Sequence, residues 1–222
     1  MITEPTRTNE PFVEFPKMAR LTREVIVTEK IDGTNAQVYI NDLGEMYVGS
    51  RSRWITAKTD NFGFHRWCSE HEEELRRLGP GHHFGEWWGS GVQRGYDLPK
   101  GEKRFSLFNV DRWYDTRIPH DTTKVSDGSM PAPPCCHVVP VLWRGVFSTD
   151  AIQHAVWNLN MTGSMASPGF MKPEGVVIFH VAGRVGFKKT IEKDESPKSV
   201  LSPLDEITTT VPLAEFKPDF IL

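Results

Sequence analysis

The sequence predicts an α+β fold, and three observations predict it. Three strand-like runs follow one another between residues 24 and 50, joined by short glycine-containing turns. Helical periodicity is confined to two segments, near 61–78 and 149–159. A further pair of apolar runs, 175–180 and 185–189, is joined by a turn at Ala182-Gly183.

Each element has a local reason. Glu24-Val-Ile-Val-Thr-Glu-Lys30 is rich in β-branched residues, and Asp32-Gly33 supplies a turn before Ala36–Ile40. Asn41–Gly44 turns the chain again into Glu45–Ser50, so the simplest topology is a β-meander with antiparallel pairing. From Asn61 to Leu78, Phe64, Trp67, Cys68, His71, Leu75 and Leu78 fall near one face of a helix, which Gly79-Pro80-Gly81 stops. His83–Trp88 and Arg104–Val110 read as strands either side of a glycine-marked loop containing Gln93 and Arg94. Residues 115–136 are polar and then proline-rich, a surface loop. Val138–Leu142 reads as a strand and Thr149–Leu159 as a helix opened by a Ser/Thr/Asp cap. The tail from Glu192 to Leu222 carries no assignable pattern.

Composition narrows the class. The 222 residues are 38% hydrophobic and 11% aromatic, enough to build a packed core. A net charge of −3 argues against a protein that holds nucleic acid through an overall basic surface, but leaves room for one basic groove. Three cysteines form no disulfide framework, and Cys135-Cys136-His137 lacks the ligand set of a zinc site. No apolar run approaches the roughly 20 residues needed to span a bilayer, and the first sixteen residues hold no signal segment, so a soluble cytoplasmic protein with no membrane partner is expected.

Lys30-Ile31-Asp32-Gly33 lies at a strand-to-turn junction, a pattern that chance supplies roughly once in twenty chains of this size. Order gives it meaning. Ser50-Arg51, Phe84-Gly85-Glu86, Phe105 to Asp111, Glu174-Gly175-Val176-Val177 and Phe187-Lys188-Lys189 follow downstream. In this succession the chain resembles the covalent nucleotidyltransferases, the superfamily of ATP-dependent ligases and capping enzymes. Glu29-Lys30-Ile31-Asp32-Gly33-Thr34-Asn35 is most similar to the T4 RNA ligase 2-like branch, and the resemblance spans about residues 24 to 190.

That resemblance implies two antiparallel sheets with flanking helices and a nucleotide cleft between them. The adenylyltransferase domain would occupy residues 1–190, with motifs from 30 to 189. Residues 191–222 would form a short C-terminal tail, too short for the OB-fold domain of DNA ligases and capping enzymes. It implies an ATP-dependent RNA ligase that uses Mg²⁺, with Mn²⁺ as a substitute, on 5′-phosphate and 3′-hydroxyl ends, in a role such as RNA repair. Lys30 would be the nucleophile. About one free lysine in a thousand is neutral near neutral pH, so desolvation and a nearby metal ion must favour the free amine.

The remaining roles follow from the same resemblance. Glu29 would present its backbone to adenine, and Arg51 would contact the nucleotide or the end phosphate, with Arg53 an alternative. Glu86 would hold the ribose hydroxyls, Phe108 would stack on adenine, and Asn35 would act in sealing. Glu174 would direct the metal ion. Lys188 would neutralise the α-phosphate; the residue two before it is Gly186 where the family commonly has lysine, so Lys189 or Arg184 could substitute. Apart from the resemblance, the position of Arg94 just beyond Glu86 and its charge would let it meet a substrate phosphate or lie in a solvated loop. A minimal DNA ligase, a non-sealing adenylyltransferase and an inactive nucleotide-binding module are the alternative readings.

Overall fold

The computed structural model describes residues 14–118, 125–192 and 194. Two main sheets carry the fold, with few helices. The first has the order β11-β10-β1-β9, from strands β1 (Glu24–Lys30), β9 (Val141–Val146), β10 (Gly175–His180) and β11 (Val185–Thr190), all antiparallel. The second has the order β3-β2-β4-β5-β8, from β2 (Thr34–Ile40), β3 (Met46–Ser50), β4 (Gly81–Gly89), β5 (Lys103–Leu107) and β8 (Cys136–Val138). Its last pair, β5 with β8, is parallel, so this sheet is mixed where the sequence predicts an antiparallel one. A short parallel pair, β6 (Trp113–Tyr114) with β7 (Met130–Pro131), structures part of the expected surface loop.

The predicted meander holds for β2 and β3 but not for β1. β1 is the centre of the other sheet, flanked by β10 and β9. Ile31-Asp32-Gly33 is thus a crossing between sheets, not a hairpin turn. Gly33 makes the crossing possible: a Cβ there would lie 2.5 Å from the Trp87 carbonyl and 2.8 Å from the Trp88 Cβ, so only glycine lets the chain lie flush on β4. The single strand predicted at 138–142 is likewise a second crossing. Pro140, which has no N–H to give a ladder, separates β8 from β9, and its carbonyl accepts from the Glu29 N–H at 2.9 Å.

The two faces of the first sheet are buried differently. Val25, Val27, Val176 and Ile178 pack with Ile152, Ala155 and Leu159 of helix α3 (Thr149–Thr162). Ile26 on the other face belongs to the larger core shared with the second sheet. The N-cap of α3 is Ser148, whose hydroxyl accepts from the Ala151 N–H. The helix predicted over 61–78 is broken: α1 (Phe64–Glu70) and α2 (Glu72–Leu75) meet at His71, whose φ of −116° leaves the helical range, and a 3₁₀ turn follows. The predicted apolar face survives the break. Phe64, Cys68, Leu75 and Leu78 are buried, and Phe64 and Trp67 stand 5.3 and 5.2 Å from the Trp87 ring. Among the described residues no helix is long and apolar enough to cross a membrane. The C-terminal tail lies almost wholly outside the described residues.

Burial separates two tryptophans of the second sheet. Trp87 is 2% exposed in the core, whereas Trp54 is 50% exposed. Trp87→Ala is expected to cost about 3–5 kcal/mol in urea unfolding, and Trp54→Ala less than about 0.5 kcal/mol.

Candidate functional site

Lys30 is the last residue of β1, and its Cα partner across the sheet is Gly175, the first residue of β10. The register therefore brings Glu174, one residue earlier, beside the lysine. Lys30 Nζ donates to Glu174 Oε2 at 2.6 Å, with the Glu174 side chain only 1% exposed. Gly175 has a φ of +155°, and a Cβ there would lie 2.2 Å from the Lys189 carbonyl, so this corner admits only glycine. Nearly 150 residues apart in sequence, Lys30 and Glu174 meet because β1 and β10 pair.

The second sheet contributes from the other side of the crossing. Asn35 and Glu86 are Cα partners on β2 and β4. Glu86 Oε1 accepts from the Gly33 N–H at 3.0 Å and Oε2 from Asn35 Nδ2 at 3.3 Å. Burial raises the Glu86 carboxyl to about 7, against the opposing pull of the Lys30 charge and the Gly33 hydrogen bond; Glu174 and Asp32 push it further up. Glu86 thus lies within electrostatic reach of Lys30, Glu174 and Asp32.

Asp32 is tied into place from two directions. Its N–H donates to the Tyr96 hydroxyl at 2.8 Å, and its carboxylate accepts from Arg94 Nε at 3.1 Å. Arg94 Nη1 also donates to the Lys172 carbonyl at 2.8 Å. Arg94 is therefore a strut between the Lys30–Gly33 corner and the segment leading into Glu174, where the sequence offered a phosphate contact or a solvated loop. Tyr96 is fully buried, with Trp88 and Phe170 at 5.1 and 4.6 Å. No motif pointed to Arg94 or Tyr96 in these roles.

Glu29 faces away from Lys30, as strand alternation requires. Its side chain is 1% exposed and accepts from Ser164 Oγ at 2.6 Å, Met165 N at 2.8 Å and Ala166 N at 3.0 Å. Burial raises its carboxyl, offset by those three donors. The sequence singled out the Glu29 backbone for adenine, yet its N–H is engaged by Pro140 and its side chain anchors the loop after α3.

Lys188 and Lys189 part company on β11. Lys188 is the partner of Val177, itself the partner of Thr28, so it shares the face of Ile26 and Lys30. Lys189 is the partner of Val176 on the α3 face, and its amine reaches Asp194 at 3.3 Å. Gly186 is on the Lys30 face, and a Cβ there meets nothing within 4 Å. Arg184 sits in the β10–β11 turn with a φ of +49°. Arg51 and Arg53 are exposed beyond β3, and Phe108, half-buried just past β5, packs on the edge of the core.

Among the described residues no three His, Cys, Asp or Glu side chains converge on a metal position. Glu174 beside Lys30 fits the other mode, in which Mg²⁺ takes one or two carboxylates and completes its shell with phosphates and water. A cavity of about 690 Å³ lies elsewhere, beside α1, lined by Asp60, Gly63, Arg66, Ser90 and Lys103 among others.

The raised Glu86 carboxyl has a signed consequence. Between about pH 4.5 and about pH 7 the folded protein keeps a proton that the unfolded chain has lost, so stability falls as pH rises across that window and levels off above it. Glu86→Gln is expected to flatten that fall, read as urea midpoints at the two ends of the window.

The RNA ligase family model matches residues 23–193. No curated protein matches the sequence. Among solved structures, a mutant apo RNA ligase from Naegleria gruberi is 23% identical, with a TM-score of 0.52 over 76% of this chain and 50% of that one. A mutant of Naegleria gruberi RNA ligase with AMP and Mn is 22% identical, with a TM-score of 0.51 over 77% and 50%. Another with ATP and Mn is 23% identical, with a TM-score of 0.51 over 76% and 50%. The chain thus spans half the length of the ligases whose fold it shares. With a core corner of Lys30, Glu174, Glu86 and Gly33 and a family match across most of its length, the chain belongs to the RNA ligase family.

Proposed function

We propose that the protein is an ATP-dependent RNA ligase in which Lys30 carries AMP covalently. The observation that carries this reading is the Lys30–Glu174 contact of 2.6 Å at the crossing between the sheets, within the electrostatic reach of Glu86. A lysine held there needs only to lose its proton to become a nucleophile. The free amine attacks the α-phosphorus of ATP, an N–P bond forms, the bond to the β-phosphate oxygen breaks, and pyrophosphate leaves. Lysyl-AMP then passes its adenylate to a 5′-phosphate, and a 3′-hydroxyl displaces AMP to close the phosphodiester.

Around that nucleophile, Glu86 would hold the ribose hydroxyls and Phe108 would stack on the adenine. Asn35, in contact with Glu86, would act in the sealing steps, and Arg51 would meet the nucleotide or the end phosphate. Lys188 is preferred over Lys189 as the cation for the α-phosphate, because it shares the Lys30 face. Glu174 would hold Mg²⁺ or Mn²⁺; when bound, the ion neutralises charge on the phosphates. Related ligases with ATP or AMP and Mn support both the nucleotide and the ion.

Gly186 favours a second reading. The Lys30 face of β11 offers one lysine where two are usual, which fits an enzyme that adenylylates itself and an acceptor without joining two strands.

The test is incubation with α-³²P-ATP and a divalent cation, followed by a denaturing gel and a joining assay on 5′-phosphate, 3′-hydroxyl RNA. Wild type is expected to take the label and join ends, and Lys30→Ala to lose both by at least about 1,000-fold. Label without joined product supports the second reading. Absence of label in folded wild type overturns both.

A further inference from the structure

The face of the second sheet that carries Asn35 and Glu86 continues outward as a platform of rings. Side chains alternate along strands, so Asn35, Gln37 and Tyr39 share one face of β2, and Glu86, Phe84 and His82 share that face of β4. Tyr47 of β3 is the partner of Tyr39. Past β3 the chain folds back through Ser50–Arg53, and Trp54 bridges to Gly49 beside them.

The rings form one cluster, in which Tyr39, Tyr47 and Trp54 lie 6.0–6.1 Å apart and tilted by 31–53°, with His82 and Phe84 stacked beside them. Tyr39 and His82 lie 4.2 Å apart at 19°, His82 and Phe84 5.8 Å apart at 7°, and Trp54 and His82 6.5 Å apart at 22°. Gln37 Oε1 fixes the His82 ring through Nδ1 at 3.2 Å. Trp54 and Tyr47 are 50% and 44% exposed, large apolar surface that a folded chain normally covers. Four residue steps along the strand carry the chain from Asn35 to Tyr39, about 13 Å, a reach of a few nucleotides. The exposed Arg51 and Arg53 occupy the turn immediately before Trp54.

We propose that this platform, centred on Trp54, Tyr47 and Tyr39, stacks the unpaired bases of a single strand whose end reaches Lys30. Exposed rings set at several angles beside guanidinium groups suit nucleobases joined by phosphates along a flexible strand. An apolar protein partner would not use the arginines, and a duplex keeps its base faces stacked within itself. The substrate class is therefore a single-stranded end, in a sequence-tolerant register. The inference rests on the ligase reading only for what happens at Lys30.

The test is fluorescence anisotropy of a labelled single-stranded 12-mer with the full chain, for wild type, Trp54→Ala, Tyr47→Ala and Trp54→Phe. RNA and DNA of one sequence and a blunt duplex form the arms, with lysyl-AMP formation measured in parallel. Each alanine variant is expected to weaken single-strand binding about 10-fold in both sugars, with Trp54→Phe near wild type. Duplex binding and lysyl-AMP formation stay unchanged. Single-strand binding unaltered in both alanine variants, or lost equally for the duplex, overturns the proposal. Loss of lysyl-AMP in wild type overturns the ligase reading and leaves the binding result to stand or fall separately.

Discussion

An ion pair between Lys30 and Glu174, 2.6 Å long with one partner almost wholly buried, organises the centre of this protein. Leaving a buried carboxylate without a cation would cost several kcal/mol, and leaving the lysine without its acid would strand a positive charge at the end of a core strand. The pair exists only if β1 and β10 hold their register, since a slip of one residue would turn Lys30 toward the α3 face. Much of the fold serves that register: the antiparallel ladder of the first sheet, the glycine at 175 that turns the corner, and the apolar layer of Val25, Val27, Val176 and Ile178 against α3.

Around the pair, polar groups that would be costly alone are assembled so that each has a partner. Glu86 accepts from Gly33 and Asn35, Asp32 from Arg94, and Glu29 from three donors of the loop after α3. These bonds do more than satisfy the carboxylates. Glu86 fastens the sheet crossing to β4, Arg94 fastens it to the segment before Glu174, and Glu29 fastens β1 to the loop beyond α3. Held on three sides, Lys30 has little freedom except at its amine. Such preorganisation would serve Lys30 in the nucleophilic role proposed for it.

Much of this was legible in the sequence, for physical reasons. Strand runs with β-branched residues and the helical face of Phe64, Cys68, Leu75 and Leu78 follow local preferences that tertiary contacts reinforced. The motif order singled out Lys30, Glu86 and Glu174, which the pairing of β1 with β10 and of β2 with β4 brings to one corner. What stayed hidden was non-local. Nothing local distinguishes a hairpin at Ile31–Gly33 from a crossing, or marks Pro140 as the break between two sheets. Glu29, Arg94 and Tyr96 act through partners 62 to 137 residues away, beyond any spacing rule. The separation of Lys188 from Lys189 needed only the strand's alternation, once the register with β10 was known.

The most direct measurement is peptide mapping by mass spectrometry after incubation with ATP and a divalent cation under non-acidic conditions. The account predicts AMP in phosphoramidate linkage on the peptide containing Lys30, and on no other lysine. Adenylate on Lys188 or Lys189, or wild-type protein that carries none, would contradict the claim that the Lys30–Glu174 pair is the reacting centre.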